Sequence, residues 1–347
     1  MSLKKKVNET YIIAEIGQNH NGDINIAKKI IDQLDRYPYD EHTGDRWSKV
    51  NAIKLTKRDL SEELSKEQME RIYDTPNSFG VTYGKHREFL ELTYEQHVEL
   101  GEYIKAKGFD FVQTLCSVKT VKLLDMVKVD RVKIASRDLT NIPLLETLAS
   151  RSEPVILSTG MADEEDLKLA LSILTKNGKS NIDILHCLSQ YPAEYGKLNL
   201  KTINWLKSNY NKLTIGYSDH SIGSHIPVAA VAMGAEILEK HVTLDTAMKG
   251  SDHKGSANIE DFIKMVHDIR AVEHSLGDNE MHRSKSVEVA KEKLERSLAW
   301  SCNVGKGAII SEDMFCMLSP GNGMKWADRL NYIGKENKLD REKYTLV

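Results

Sequence analysis

Eight short runs of aliphatic and β-branched residues, separated by segments with apolar residues at helical spacing, constrain the fold of this chain most strongly. Strands that alternate with helices form parallel sheets, and eight parallel strands can close into a barrel that side chains fill. The sequence therefore predicts an α/β fold, a (β/α)8 or TIM barrel. The expected strands are residues 11–17, 52–56, 111–115, 131–136, 154–159, 182–188, 213–219 and 237–243.

An open, doubly wound sheet is the competing fold. Such a sheet usually carries a glycine-rich nucleotide turn after its first strand, and "EIGQNHNGD" (15–23) does not have that pattern. Two insertions lengthen the connections around strand two, residues 36–51 before it and 58–92 after it. Because the loops that follow barrel strands form the active-site face, we expect the second insertion to matter more to the site.

The pattern changes after residue 282, where a charged helical segment leads into short runs punctuated by Gly and Pro. A chain of 347 residues fits one large barrel with a small appendage. We predict a catalytic barrel over 1–282, a helical linker over 283–294 and a small β-rich module over 295–347, whose completeness the sequence leaves open. A module of that size has a small core, so we expect it to lean on another surface.

The composition excludes several function classes. The net charge is −3 and no block carries one sign, which argues against a nucleic-acid or membrane-surface partner and favours a small polar substrate. The four cysteines form no CxxC pair, which indicates a reducing compartment. The apolar run in "MSLKKKVNETYIIAEIG" is too short for a signal peptide or membrane anchor, so we expect a cytoplasmic protein.

The ends of the predicted strands are highly polar. Lys54 and Lys133 lie at matching depths on strands two and four, where their ammonium groups suit a phosphate or carboxylate. Alternatively, each lysine could find its own polar partners inside the barrel and bind no ligand. Glu15 ends an otherwise apolar strand, and the cost of burying a carboxylate favours a functional role for it.

Two successive strands deliver a histidine where they leave the sheet: "IGYSDHSIG" contains His220 and "ILEKHVTLD" contains His241. Neutral imidazoles bind borderline metals, and neighbouring strands about 5 Å apart can present two of them to one ion. Two isolated histidines can also be purely structural. His20, in a turn, and His186, in an apolar strand, are weaker candidates than this pair.

These motifs resemble the N-acetylneuraminate (sialic acid) synthase family, including its branch in spore-coat polysaccharide biosynthesis. The matching phrases, in family order over residues 11–256, are "IIAEIGQNHNGD", "AIKL", "VKIASRDLTNIPLLETLA", "PVILSTGMA", "LHCLSQYPAEY", "IGYSDHSIG", "EILEKHVTLD" and "KGSDHKGS". The tail, with "GKGAIISEDM" and "SPGNG", is similar to the family's antifreeze-protein-like (SAF) domain.

The resemblance implies a metal-dependent condensation of phosphoenolpyruvate with a mannosamine-type sugar aldehyde, which gives a nonulosonic 2-keto acid and phosphate for surface polysaccharides. It implies that His220 and His241 hold the metal, usually Mn²⁺ with Mg²⁺ or Co²⁺ as alternatives, and that Glu15 positions or deprotonates the attacking water. The residues implied for phosphoenolpyruvate are Lys54, Thr114, Lys133, Ser136, Ser189 and Ser218. The residues implied to face the sugar are Asn77, Asp138, Tyr191 and Asp252. It also implies a domain-swapped homodimer.

The chain departs from the family pattern at several positions. Thr56 replaces a glutamine, Ser189 an asparagine, and Arg137 with Asp138 a Gly-Glu pair, while Ser319 stands where the family has an arginine that reaches the sugar. We therefore expect an acceptor other than N-acetylmannosamine, free or phosphorylated. Arg137 either adds an anion contact or is an outward ion-pair residue.

Two other functions remain open from the sequence. One is a sugar-phosphate-binding barrel of the same family with altered catalysis, although a binder has no need for Glu15 beside a metal site. The other is a metal-dependent hydrolase on the same fold, which usually carries a His-x-His pair on strand one; "AEIGQNHNG" lacks that pair.

Overall fold

The computed structural model describes residues 9–36, 49–278 and 280–347. The chain divides into two compact units, residues 1–277 and 278–347. Most of the first predicted insertion, residues 37–48, and the first eight residues lie outside the described part.

The first unit contains eight parallel strands that pair in chain order, and β1 also pairs with β8, which closes the sheet. The strands are β1 (Tyr11–Gly17), β2 (Ala52–Lys57), β3 (Asp110–Leu115), β4 (Arg131–Ile134), β5 (Val155–Ser158), β6 (Ile182–Cys187), β7 (Thr214–Asp219) and β8 (Ile237–Thr243). A short strand β9 (Ala257–Asn258) pairs with the end of β8. The predicted barrel is confirmed, each strand lies within two residues of its expected bounds, and the open sheet is excluded.

Helices connect the strands, and those outside the insertion 58–92 cover the outside of the barrel. They are α1 (Ile24–Arg36), α2 (Leu60–Glu63), α3 (Lys66–Glu70), α4 (Tyr83–Leu90), α5 (Tyr94–Ala106), α6 (Ile142–Ala149), α7 (Glu164–Thr175), α8 (Thr202–Asn209), α9 (His225–Ala232) and α10 (Ile259–Ser275). Local sequence sets their starts: at α5, the Thr93 hydroxyl accepts from the Gln96 backbone N–H while the Gln96 side chain accepts from Thr93 N–H. No helix in the described residues is long and apolar enough to cross a membrane.

Alternation along the strands separates the core from the site. One apolar layer fills the barrel interior: Ile13, Ala52, Val112, Ile156, Leu185 and Ile237. Side chains two positions apart on a strand face the same side, so the next inward residues form a polar layer on top of the apolar one. That layer contains Glu15, Lys54, Thr114, Ser158, Cys187 and Glu239.

The insertion 58–92 is anchored at both ends beside the barrel mouth. The Lys57 ammonium donates to the Leu92 carbonyl oxygen (2.6 Å), which joins the residue before the segment to its last residue. Within it, the rings of Phe79 and Phe89 stack with centroids 4.5 Å apart, and Phe79 also stacks on His86 at 5.9 Å. These aromatic contacts lie at the surface, with His86 buried beneath Phe79 and with Phe89 51% exposed.

The second unit contains α11 (Glu288–Leu294) and an antiparallel pair, β10 (Ser297–Trp300) and β11 (Phe315–Leu318). Its core contains Leu298, Trp300, Val304, Ile310 and Phe315. This is a small β-rich unit. Its identity as an antifreeze-protein-like domain stays a prediction.

Candidate active site

A cavity of about 360 Å³ opens at the carboxyl ends of the barrel strands. All but two of the site residues expected from the sequence line it. They are Glu15, Lys54, Thr114, Lys133, Ser136, Ser189, Tyr191, Ser218, His220, His241 and Asp252. The fold thus brings together side chains from six strands and from the loops that follow them.

Asn77 and Asp138 do not line the cavity. Asp138 is buried, and its carboxylate accepts a hydrogen bond from Arg137 Nε (3.2 Å). Asn77 lies in a turn between α3 and α4. A strand end fixes which way its side chain points, whereas these two positions depend on loop structure that the sequence pattern did not reveal.

Two lysines and two glutamates form a charge network on the cavity floor. Lys133 Nζ lies 3.0 and 3.1 Å from the two carboxylate oxygens of Glu239, and Glu239 Oε1 also accepts from the Ser218 hydroxyl (3.1 Å). Lys54 forms an ion pair with Glu15 and lies 3.6 Å from Glu239 Oε2. All four charged side chains are buried, and all four line the cavity. The network therefore holds two cations where an anionic substrate that enters the cavity can reach them.

The network shifts the pKa values of the two carboxyl groups in opposite directions. Burial raises the pKa of Glu15 to about 7, against the opposing effect of Lys54. Burial also acts on Glu239, but Lys133 and Lys54 outweigh it and lower the pKa of that carboxyl. Burial lowers the pKa of Lys133, whereas Glu15 and Glu239 outweigh burial and raise the pKa of Lys54. Glu15 can therefore exchange a proton near neutral pH while Glu239 stays an anion.

Hydroxyl groups surround the two ammonium groups. Thr114 Oγ1 accepts from Lys54 Nζ (3.0 Å), and Ser136 Oγ accepts from the Gly160 backbone N–H (2.9 Å). A Cβ at Gly160 would lie 2.4 Å from Ser189 Oγ and 2.9 Å from Ser136 Oγ, so only glycine leaves room for these hydroxyls. Hydroxyls and ammonium groups in one cavity can saturate the oxygens of a phosphate or carboxylate.

The rings of His220 and His241 face each other across the ends of β7 and β8, with centroids 5.7 Å apart. His220 Nδ1 lies 2.8 Å from the Leu188 carbonyl oxygen, which can only accept, so Nδ1 carries the proton and Nε2 keeps its lone pair. His241 Nδ1 is buried and has no hydrogen-bond partner in the described residues, and burial lowers the pKa of this imidazole to about 4. Both rings thus offer what a borderline divalent metal prefers in a ligand.

The pair is a two-ligand set within the described part of the chain, where no three His, Cys, Asp or Glu side chains form a group that could hold a metal ion. Two protein ligands leave coordination positions for water and substrate, as a Lewis-acid site needs. The Tyr191 ring packs on His220 with centroids 4.0 Å apart and restricts its rotation.

Gly17 makes room where Glu15 and His241 approach each other. Its φ is +55°, and a Cβ there would lie 2.9 Å from Glu15 Oε1 and 3.1 Å from His241 Cε1. Glycine is the residue that tolerates both the left-handed backbone and this crowding. The end of β1 is therefore shaped for the carboxylate and the imidazole together.

The sequence model of the NeuB family matches residues 46–281 of this chain. This chain belongs to the NeuB family. It is 36% identical to the N,N'-diacetyllegionaminic acid synthase of Campylobacter jejuni, over 96% of this chain and 99% of that protein. It is 33% identical to human N-acetylneuraminate-9-phosphate synthase, over 94% of this chain and 88% of that protein.

A solved structure agrees with these matches. The crystal structure of N-acetylneuraminic acid (sialic acid) synthetase from Leptospira borgpetersenii aligns with a TM-score of 0.69 at 33% identity, over 84% of this chain and 94% of that chain. The resemblance drawn from the motifs is confirmed. This NeuB-family chain is an enzyme, a transferase that forms carbon–carbon bonds with phosphoenolpyruvate.

Sequence reasoning missed several residues of the NeuB-family cavity. Glu239 lies two positions before His241 on β8, so strand alternation could have identified it. Arg58, four residues after Lys54, could have been found in the same way, whereas Arg87 on α4 depends on how the insertion folds.

Other polar residues near the strand ends turn away from the cavity. Lys240 Nζ pairs with Asp219 at 2.5 Å behind the sheet. His186 Nε2 donates to the Leu198 carbonyl (2.7 Å), and His20 Nδ1 accepts from the Gly22 N–H (3.0 Å). Neither of these two histidines lines the cavity.

Proposed function

We propose that this enzyme condenses phosphoenolpyruvate with the open-chain aldehyde of a mannosamine-type amino sugar, giving a nonulosonic 2-keto acid and phosphate with the help of a divalent metal. One observation carries the proposal: a buried network of two lysines and two glutamates adjoins a pair of histidines in one cavity. The names of the relatives from Campylobacter jejuni and human support it, because both are synthases of sialic-acid-like sugars.

Phosphoenolpyruvate would bind on the cavity floor. Lys54 and Lys133 supply two ammonium groups in a site largely shielded from water, where attraction to an anion is stronger than at the surface. The hydroxyls of Thr114, Ser136 and Ser218 would complete the hydrogen bonds to the phosphate and carboxylate. Glu239 holds both lysines in place, at 3.0 Å from Lys133 and 3.6 Å from Lys54.

His220 and His241 would hold the metal, which we propose to be Mn²⁺, with Mg²⁺ or Co²⁺ as alternatives. The bound ion would polarise the aldehyde carbonyl and so favour attack by carbon 3 of phosphoenolpyruvate. Tyr191 packs against His220 and helps to keep that ring in a binding orientation.

Glu15 would act as the base for the water that completes the reaction. Attack by carbon 3 forms the new carbon–carbon bond, the aldehyde oxygen takes a proton, and carbon 2 becomes electron-poor. Glu15 takes a proton from water as the water oxygen bonds to carbon 2. The bond between carbon 2 and the phosphate oxygen then breaks, phosphate leaves with the hydroxyl proton of carbon 2, and carbon 2 becomes a ketone. The proton held by Glu15 replaces the one that the aldehyde oxygen took. A carboxyl whose pKa is raised to about 7 suits this task.

The acceptor we propose is an amino sugar other than N-acetylmannosamine itself. Thr56 and Ser189 line the cavity where the family pattern has longer amide side chains. Ser319 donates to the Leu294 carbonyl (3.2 Å) within the second unit and offers no cation to a sugar. The domain-swapped homodimer, the cytoplasmic location and the role in surface polysaccharides stay predictions.

The test is phosphate release from phosphoenolpyruvate with Mn²⁺ and a panel of amino sugars, together with detection of the 2-keto acid. We expect release that depends on both the sugar and the metal, and its loss in Lys133→Met. Binding of phosphoenolpyruvate without turnover on any amino sugar would instead favour a sugar-phosphate-binding barrel with altered catalysis.

A further inference from the structure

Three arginines line the same cavity as the two lysines, but they come from the loops and not from the strands. Arg58 follows β2 directly, Arg87 lies on α4 within the insertion, and Arg137 follows β4. Because the residues after the strands lie nearer the mouth than the residues within them, these guanidinium groups form a rim above the lysine floor. The cavity thus has two levels of positive charge.

Arg58 and Arg137 are already held by carboxylates. Both contact the same oxygen, Glu63 Oε2, at 3.3 Å and 3.1 Å. Glu91 lies 3.7 Å from Arg58, and Asp138 lies 3.2 Å from Arg137. The shared glutamate ties the two guanidinium groups to each other and fixes this side of the rim in advance of ligand binding.

Arg87 differs from them because no carboxylate in the described residues lies within ion-pair distance of it. Its Nη1 donates to Gln18 Oε1, its Nε donates to the Tyr83 hydroxyl (3.0 Å), and its guanidinium lies 5.2 Å from the Tyr83 ring centre. Asp252 faces the same cavity, but its carboxylate accepts from the Ser251 hydroxyl (2.7 Å). Neutral partners orient the Arg87 fork, and the charge of Arg87 helps to lower the pKa of Asp252 without a direct ion pair between the two.

The surroundings of Arg87 make its positive charge costly. Burial lowers the pKa of Arg87, and the neighbouring charges of Arg58 and Arg137 lower it further. Glu63, Glu91 and Asp138 compensate Arg58 and Arg137, so Arg87 is the rim cation that an anionic ligand could pair with directly. Guanidinium forks match phosphate oxygens with paired hydrogen bonds, which ammonium groups cannot do.

The order of the two substrates in the cavity decides which one meets the rim. If phosphoenolpyruvate lies on the lysine floor, the aldehyde carbon of the sugar must approach carbon 3 from above, beside His220 and His241. The rest of the sugar chain then extends toward the mouth. Its far end, carbon 6, is the part that comes nearest to Arg58, Arg87 and Arg137.

We propose that Arg87, together with Arg58 and Arg137, binds a phosphate group on carbon 6 of the acceptor, so that the substrate is an amino sugar 6-phosphate. A phosphate monoester brings close to two negative charges and three acceptor oxygens to a rim of three guanidinium groups. This inference rests on the proposed function and specifies its substrate class.

The first test uses the unaltered enzyme with phosphoenolpyruvate and Mn²⁺. It compares kcat/KM for a set of amino sugars with kcat/KM for their 6-phosphates. We expect the phosphorylated form of the best acceptor to be preferred at least tenfold, since one hydrogen bond to a charged group contributes roughly a factor of 10 to 100.

The second test removes one positive charge from α4 in two ways. Arg87→Gln should raise KM for the sugar 6-phosphate by about 10- to 100-fold and leave KM for phosphoenolpyruvate within about twofold. Lys85→Gln is the matched control, because Lys85 lies on the same helix, is exposed and pairs with Glu88. It should leave both KM values unchanged, and thermal unfolding of each variant checks that it folds.

The outcomes separate this inference from the proposed function. If no amino sugar with or without phosphate releases phosphate from phosphoenolpyruvate, the proposed function fails and the inference fails with it. If a neutral sugar is used as well as its 6-phosphate, the proposed function stands and the inference alone is overturned. The inference alone is also overturned if Arg87→Gln raises KM for phosphoenolpyruvate instead of KM for the sugar 6-phosphate, or if Lys85→Gln raises KM for the sugar 6-phosphate equally.

Discussion

Glu15 and Glu239 both lie on the cavity floor, but their neighbours shift the pKa values of the two carboxyl groups in opposite directions. Glu239 lies between two lysines, so its charged form is stabilised, whereas Glu15 has one lysine partner and is dominated by burial. One carboxylate can then organise the cations while the other moves a proton. The two roles follow from the lysine contacts: Glu239 lies near both lysines, whereas Glu15 pairs with Lys54.

Glu15→Gln tests the proton-transfer role at the scale of one residue. Glu15 must lose its proton to act as a base, so kcat/KM should fall as pH drops below about 7, the raised pKa of this carboxyl. The variant should lose about 10²- to 10⁴-fold in kcat and no longer show this acidic limb. The measurement is kcat/KM against pH for both proteins. An unchanged acidic limb in the variant would assign it to another group.

His241→Ala tests the histidine pair. Removing one of two imidazole ligands should abolish tight Mn²⁺ binding, measured by calorimetry, while the far-ultraviolet circular dichroism stays that of the intact fold. His282→Ala serves as the control, because His282 is exposed and lies in the second unit. Equal Mn²⁺ affinity in His241→Ala and His282→Ala would place the metal elsewhere.

At the scale of single strands, alternation decides which polar residues reach the site. On β8, Glu239 and His241 face the cavity, whereas Lys240 between them faces outward and pairs with Asp219. The sequence located the polar strand ends correctly because apolar runs stop there. The apolar run alone does not say which of two adjacent residues points inward, so it could not separate Lys240 from His241.

Gly17→Ala tests how the end of β1 accommodates the site. The φ of +55° and the close approach of Glu15 and His241 should make this change costly for activity. Gly178→Ala is the matched control, since Gly178 has a φ of +82° and nothing within 4 Å of an added Cβ. Both variants should lose about 1–2 kcal/mol of unfolding free energy from backbone strain, and only Gly17→Ala should lose activity. Equal activities would show that the crowding at Gly17 is harmless.

Lys240→Met tests the ion pair that joins β7 to β8 behind the sheet. Both charged groups are buried, and removal of one leaves Asp219 without its countercharge, which should cost about 3–5 kcal/mol in urea unfolding. Lys264→Met breaks an exposed pair with Asp268 at a similar 2.6 Å and should cost less than about 1 kcal/mol. A similar loss in both variants would contradict the structural role given to the Lys240 pair.

At the scale of the whole molecule, closure of the sheet makes the site possible. Pairing of β1 with β8 places Glu15 opposite His241 in the register, although more than two hundred residues separate them in the chain. The repeating pattern of strands predicted this closure, and with it the floor of the cavity. It did not predict that Arg87 reaches the cavity, because this residue lies on α4, inside an insertion whose own fold sets its position.

The most direct test of the central claim follows the oxygen that joins carbon 2 of phosphoenolpyruvate to phosphorus. If water attacks carbon 2 in this cavity, ¹⁸O placed at that position should leave with the phosphate, in an amount that matches the 2-keto acid formed and only when an amino sugar is present. Label retained in the 2-keto acid, or phosphate released equally without a sugar, would contradict the account.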